Sequence, residues 1–486
     1  MKRIFVILLS GLMLLSVLSG CAENGSQEQE ETEGAAAEEE QWISPALNET
    51  DLFTGNSFTI LANREMDAGS EEASTDPLED AIYRRNDKLE ATYGITINTI
   101  LETEYTLIGD RVSKDVNSNS GEYDLVYQHM VNAATNLAVN GLLIDLVDLE
   151  YVDFDKEWWD QDANEGFTIG NHRFLAVGDL LPHTMLYSAC LAFNKNHFDD
   201  RSMEYPYELA RDGVWTLDEL NALTKDQTKD VNGDGKIEFQ NDYYGMTSWH
   251  LAGPFNFFFG SGASFFTKDA DNYPVYSVDQ NKIQSIYDKV YTTFITNDSL
   301  YITDVSIHTE AYKVFTEGRA LFVTCSLTTI ANAENGFKDM TEEYGVLPQP
   351  KYDTAQKDYM SFVNGAASVV VVPKSLSDEE LVFTGFMMEA LSSSSYYMVT
   401  DTLYDKVAKS KNVRDPESAE MVDIIIRNRV FDFGYAHFFS KGYPCAVLFQ
   451  TCLDAKTDSV ASAIKKVKDK TMEKDINRIL ETYQGD

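Results

Sequence analysis

Phe58 to Leu61 is a short apolar run that reads as a strand, and Asp76-Pro77 follows it, where an aspartate caps a helix and a proline suits its first turn. Leu78, Ile82, Leu89 and Tyr93 then fall on one helical face, Gly94 supplies a C-terminal stop, and Ile95, Ile97 and Ile100 begin a second strand. Strand, helix, strand at this spacing is a crossover unit and predicts an α/β fold. A second helix is expected around Leu107 to Val116. It leads to Glu122-Tyr123-Asp124-Leu125-Val126-Tyr127-Gln128-His129, an apolar strand with a polar end. Ligands of open parallel sheets lie beyond the carboxyl ends of strands, so Gln128 and His129 are candidate ligand contacts.

The alternation recurs downstream. Thr216 and Glu219 have the spacing of a capping box ahead of Leu220 and Leu223, and Ser377 and Glu380 repeat it. Ala367 to Val372 is an almost continuous β-branched run, long enough for a strand buried on both faces, and Pro373-Lys374 closes it. The aromatic run from Pro254 to Ala263 reads as a packed helix and loop, with a pocket wall as its other reading. No fixed-period repeat is present.

The N-terminus has a different pattern. Lys2-Arg3 precedes the largely apolar stretch Ile4 to Leu18, then Ser19-Gly20-Cys21, which is the layout of a secretory signal over residues 1–20. The apolar stretch falls short of the roughly 18 to 20 residues that span a bilayer. Leu18-Ser19-Gly20-Cys21 looks like the lipobox of bacterial lipoproteins, which implies acylation of the Cys21 thiol and cleavage before it. An ordinary signal, with Cys21 discarded or free, is the other reading. Residues 21–54, rich in Glu, Gln, Ala and Gly, read as an acidic, disordered tether.

The remaining body is too long for one compact core. A net charge of -40 argues against nucleic acid and against adhesion to anionic lipid, because both need clustered Lys and Arg. It is compatible with neutral or cationic ligands. Five cysteines in 486 residues are far too few for a disulfide scaffold. Cys445 and Cys452 are close enough in sequence to pair, and buried free thiols are equally consistent with the pattern; the states of Cys190 and Cys325 are open as well.

Several segments together resemble the bacterial extracellular solute-binding proteins of carbohydrate-type ABC transporters, family 1-like. They are Leu191-Ala192-Phe193-Asn194-Lys195-Asn196-His197-Phe198, Trp215 to Leu220, Phe315-Thr316-Glu317-Gly318-Arg319-Ala320-Leu321-Phe322, and Tyr344-Gly345-Val346-Leu347-Pro348-Gln349-Pro350. The resemblance implies two α/β lobes facing a cleft, with a hinge that closes on a ligand. The first lobe is expected over 55–188 plus about 366–405, and the second over 190–362 plus about 406–486. Crossings are expected near Tyr187 to Asn194 and Val363 to Ser368. It further implies a monomer that captures a mono- or oligosaccharide and delivers it to permease subunits at the outer face of the cell membrane.

A sugar cleft needs aromatic platforms and fixed polar partners. Candidates besides Gln128 and His129 are Trp158, Trp159, Asp179, Tyr187, Trp249, Ser326 and Asn364, although each aromatic has core packing as its plainer reading. Asp230-Val231-Asn232-Gly233-Asp234-Gly235-Lys236-Ile237-Glu238 has the alternating oxygen donors and sixth-position glycine of a calcium loop. Asp230, Asn232, Asp234, the Lys236 carbonyl, and Glu238 or Asp242 are the candidate ligands, with a simple Asp-Gly turn as the alternative. Position twelve is Asn241, so the last carboxylate is displaced. No cofactor is required by this reading. No zincin, nucleophile-elbow or phosphate-loop motif is present, and the histidines are scattered, so an enzyme is not expected. A peptide or other solute receptor of the same fold, and a secreted glycan-active enzyme, are the alternatives.

Overall fold

The computed structural model describes residues 41–486 apart from 70–71, 250–251, 298, 304–308, 332–336, 409–414, 439–444, 458, 468–472 and 485–486. The expected signal 1–20, the acylated Cys21 and the tether up to residue 40 lie outside the described residues. The tether expected to run to residue 54 ends sooner. Leu47 is buried and its carbonyl accepts from the Tyr93 hydroxyl at 2.8 Å; the Ser44 N–H donates to Ser393 Oγ. Lys88 sits 4.2 Å over the Trp42 ring, and Phe53 packs on Phe383 and Phe386. These apolar anchors bind the segment to the folded body.

Nine strands build two sheets: β1 Ser57–Ala62, β2 Thr96–Leu101, β3 Leu125–His129, β4 Ala189–Asn194, β5 Tyr244–Trp249, β6 Leu300–Thr303, β7 Ala320–Ser326, β8 Tyr344–Pro348 and β9 Ser368–Val371. The first sheet runs β9-β3-β1-β2, with β1 parallel to β2 and β3, and β9 antiparallel to β3. The second runs β8-β4-β7-β5-β6; β4 is antiparallel to β7 and β8, while β5 is parallel to β6 and β7. Each sheet is the centre of one lobe. Along β4, Leu191 and Phe193 enter one core cluster while Cys190 and Ala192 enter another, which is the period-two alternation of a strand covered on both faces.

The helices form where the local signals stand. Asp76 accepts from the Leu78 and Glu79 N–H groups and starts α1, Pro77–Tyr93; Gly94 ends it at φ 63°, in the left-handed region. Leu78, Ile82, Leu89 and Tyr93 are all buried. Helix α2, Tyr105–Ser118, covers the expected second helix. Thr216 caps α3, Leu217–Thr224, by accepting from the Glu219 N–H, whereas Ser377 and Glu380 complete both halves of the box at the start of α4, Asp378–Met398. Thr400–Ala408 and Pro416–Arg427 follow as α5 and α6. The aromatic run lies in the helix Ala252–Gly260, with Phe255, Phe257, Phe258 and Phe259 all buried.

Two segments cross between the sheets side by side. Ser188 bridges Val363, and the Asn364 N–H donates to the Tyr187 carbonyl at 3.1 Å. The last helix, Glu473–Gln484, departs from the expected division, which placed about 406–486 in the second lobe. Thr482 Oγ1 donates to the Val139 carbonyl and Tyr483 packs against Phe174, so this helix lies on first-lobe segments. Its apolar face finds its partners there, while α6 is joined to the second lobe through Ser418, which bonds Tyr207 and the Val346 N–H. Among the described residues no helix is long and apolar enough to cross a membrane.

Candidate functional site

The carboxyl ends of β1 and β3 carry Asn63-Arg64 and His129. Beneath them is a buried polar knot. Ser368 Oγ donates to Asp67 Oδ2 at 2.5 Å and accepts from Arg64 Nη1 at 3.4 Å; Thr184 Oγ1 donates to the Ser368 carbonyl at 2.7 Å. His183 is buried with Nδ1 3.9 Å from Asp67, and burial holds its pKa below the ordinary imidazole value. The knot joins the end of β1, the segment leading into β4, and the start of β9, and Ser368 Oγ is its contact with Arg64.

Arg64 lies 4.9 Å from the centre of the Tyr187 ring, on the crossing segment. His129 stacks on Tyr105 with centroids 4.6 Å apart and planes at 18°. Tyr105 is 40% exposed, an aromatic face open to solvent at the first turn of α2. Burial, and secondarily the Arg64 charge, push the His129 pKa down to about 4, so the ring is neutral at pH 7. Among the described residues its buried Nδ1 has no hydrogen-bond partner. Across the crossing, Ser326 at the end of β7 pairs with Ala189, and the Leu327 N–H donates to the Ser188 carbonyl. Ser248 Oγ lies 2.8 Å from Thr324 Oγ1, which places Trp249, the end of β5, beside the end of β7. The carboxyl ends of strands from both sheets thus meet at the crossing, with stacking faces, a guanidinium and hydroxyls.

Of the candidates, His129, Tyr187, Trp249, Ser326 and Asn364 lie at these strand ends and the crossing. Gln128 is fully buried and engaged at both ends: Nε2 donates to the Tyr105 carbonyl at 2.9 Å and Oε1 accepts from the His129 N–H at 2.7 Å. Its amide holds the end of the strand in place and is closed to solvent. Trp158 and Trp159 are core residues whose indole N–H groups donate to the two oxygens of Glu389, at 3.1 and 3.0 Å. Arg64 and Tyr105 were not singled out in the sequence. Arg64 lies just past the end of β1, where ligands of such sheets gather, and that placement is the signal that selects it.

Asp179 lies elsewhere, in a cavity of about 290 Å³ with Trp159, Asp160, Tyr404 and Arg429. Arg429 is committed to an ion pair with Asp160. Burial raises the Asp179 pKa to about 7, against a smaller lowering by Arg429. A raised carboxyl pKa means that the folded state holds the proton more tightly, so its contribution to stability is lost as pH rises towards 7. The whole displacement is worth about 4 kcal/mol, and about half of that is expected because the carboxyl borders the cavity. Asp179→Asn is therefore expected to stabilise the protein by about 2 kcal/mol at pH 8 and by almost nothing at pH 4, measured by urea unfolding. An equal effect at both pH values would contradict this.

In the Asp230 loop, Asp230 accepts from the Gly233 and Gly235 N–H groups, Asn232 from Asp234, and Asp234 from Lys236. These bonds fold the loop into successive Asx turns. Glu238 takes part in the base of the loop through its backbone N–H, which donates to Asp242. Asp242 is fully buried, with its oxygens accepting from the Val231 and Glu238 N–H groups at 2.8 and 2.7 Å. It braces the base of the loop, a correction to its expected place among the ligands. Among the described residues no group of three or more His, Cys, Asp or Glu side chains is arranged to hold a metal.

Residues 85–409 match the family model described as bacterial extracellular solute-binding protein. The chain belongs to that family. No curated protein matches this solute-binding protein. Among solved structures it is similar to UspC of M. tuberculosis, at 12% identity and TM-score 0.56, covering 85% of this chain and 98% of that one. A solute-binding protein of Thermotoga lettingae TMO, bound with alpha-D-tagatose, matches at 15% identity and TM-score 0.55 over 87% and 100%. The GacH receptor of Streptomyces glaucescens GLA.O, solved unliganded and with acarbose, matches at 13% identity and TM-score 0.53 over 86% and 99%. At these identities the likeness is one of fold, and it is the two-lobed periplasmic-binding fold.

Proposed function

We propose that this solute-binding protein captures a carbohydrate where the strand ends of the two lobes meet and passes it to the permease of an ABC transporter. The observation that carries the reading is the Arg64–Tyr187 pair beside the stacked Tyr105 and His129. Sugar rings offer apolar faces to aromatic rings and hydroxyls to a guanidinium. Carbohydrate ligands in the similar structures support it. Membership of a family of binding proteins, and the lack of a nucleophile or metal motif in the sequence, support capture without turnover. Lys2-Arg3, the apolar stretch and Leu18-Ser19-Gly20-Cys21 support a lipid on Cys21 as the tie to the membrane.

A thermal-shift screen of the soluble body against oligosaccharides and peptides tests this, because a ligand of the native state raises Tm. The expected result is a rise with one glycan class and no hydrolysis of it. A rise with peptides alone would support the alternative receptor, and hydrolysis would support an enzyme.

Calcium in the Asp230 loop is a smaller proposal. Millimolar calcium is expected to raise Tm by about 2 °C, corresponding to about 1 kcal/mol of binding to the native state, and a chelator to reverse it. An unchanged Tm would leave the loop as a simple Asp-Gly turn.

A further inference from the structure

Cys190 and Cys325 occupy directly opposite positions on the antiparallel strands β4 and β7. Their side chains leave the same face of the sheet and belong to the same core cluster, at 0% and 3% exposure. Their sulfur atoms are 3.5 Å apart. Opposite residues of an antiparallel pair have Cβ atoms about 4.5–5.5 Å apart, and a disulfide needs about 3.5–4.5 Å, so a small approach of the two strands closes the bond. Cys452 is packed in a different cluster. The family is extracellular, and thiols that meet in such a compartment are not kept reduced by a cytoplasmic thiol pool.

We infer that Cys190 and Cys325 are a modification site: they are joined by a cross-strand disulfide in the exported protein. The two S–H bonds are lost and one S–S bond forms. Two protons and two electrons pass to the disulfide of an extracytoplasmic carrier, either a small-molecule disulfide or a protein dithiol-disulfide, which is reduced to two thiols. Burial raises the Cys190 thiol well above its ordinary pKa, so the thiolate needed for exchange is scarce once the sheet is complete. The bond therefore forms as β4 and β7 come together, and afterwards it is shielded from exchange. It ties two strands separated by 135 positions in the chain. It also lies one residue behind Ala189 and Ser326, the pair at the edge of the ligand site.

The test is peptide mapping of the full chain recovered from an exporting host, denatured directly in iodoacetamide without reductant and digested with trypsin. The expected product is residues 174–195 joined to residues 320–338, lighter by two hydrogens than the two peptides together and separated by reductant. Recovery of both peptides carrying alkylated Cys190 and Cys325, or of either joined to a different cysteine, overturns the inference. A second arm refolds reduced, urea-unfolded full chain with oxidised glutathione. The same linked peptide is expected, and folded protein with both thiols still open to alkylation on denaturation overturns it equally.

Discussion

Glu389→Ala is expected to destabilise the first lobe by about 3–5 kcal/mol. Glu389 lies on α4 with 1% exposure, and its carboxylate takes the indole N–H of Trp158 on one oxygen and that of Trp159 on the other, with the Asp153 N–H at 3.4 Å. Burial raises its pKa, and the indole donors oppose that rise by favouring the anion. Truncation leaves two indole N–H groups in the core without an acceptor, at about 1–3 kcal/mol each, and adds a cavity where the side chain was. Glu389→Gln keeps one carbonyl oxygen and is expected to cost about half as much. Urea unfolding measures both, and the emission of Trp158 and Trp159 should move to longer wavelength as water reaches the rings. An alanine variant within about 1 kcal/mol of the parent would contradict the account of this cluster.

Arg64→Ala is expected to weaken carbohydrate binding about 100-fold, the equivalent of about 2.7 kcal/mol. Charged hydrogen bonds to a ligand are worth about 1.5–3 kcal/mol, and the substitution also removes the cation from the Tyr187 face. Because Arg64 is only half-buried and makes a long contact to Ser368, the unliganded protein should keep its unfolding midpoint. Tyr187→Ala should weaken binding similarly. Isothermal titration calorimetry separates the affinities; unchanged binding by both variants would place the ligand elsewhere.

What the chain discloses locally and what it withholds follow from the range of the interactions. Asp76 and Ser377 cap helices through groups two or three residues away, so their roles are legible from spacing alone. β3 and β9 are recognisable because continuous apolar runs suit strands covered on both faces. Trp158-Trp159-Asp160-Gln161 reads as a sugar platform or, more plainly, as core, and the deciding partner, Glu389, is 230 residues from Trp159. Gln128 is similar: its amide partners are backbone groups brought together by folding. Asp242 looked like a displaced calcium ligand because counting positions cannot show that its carboxylate turns inwards. Trp42 and Leu47 read as tether because an isolated apolar residue in an acidic segment gives no period, although their partners lie on α1.

The decisive measurement is a crystal structure of the protein with the oligosaccharide that gives the largest thermal shift. A sugar ring is expected against Tyr187 or Tyr105, with the Arg64 guanidinium on its hydroxyls and the residues after β5 and β7 closing the other side. A sugar bound away from Arg64, Tyr105 and Tyr187, or at the Asp179 cavity alone, would contradict it.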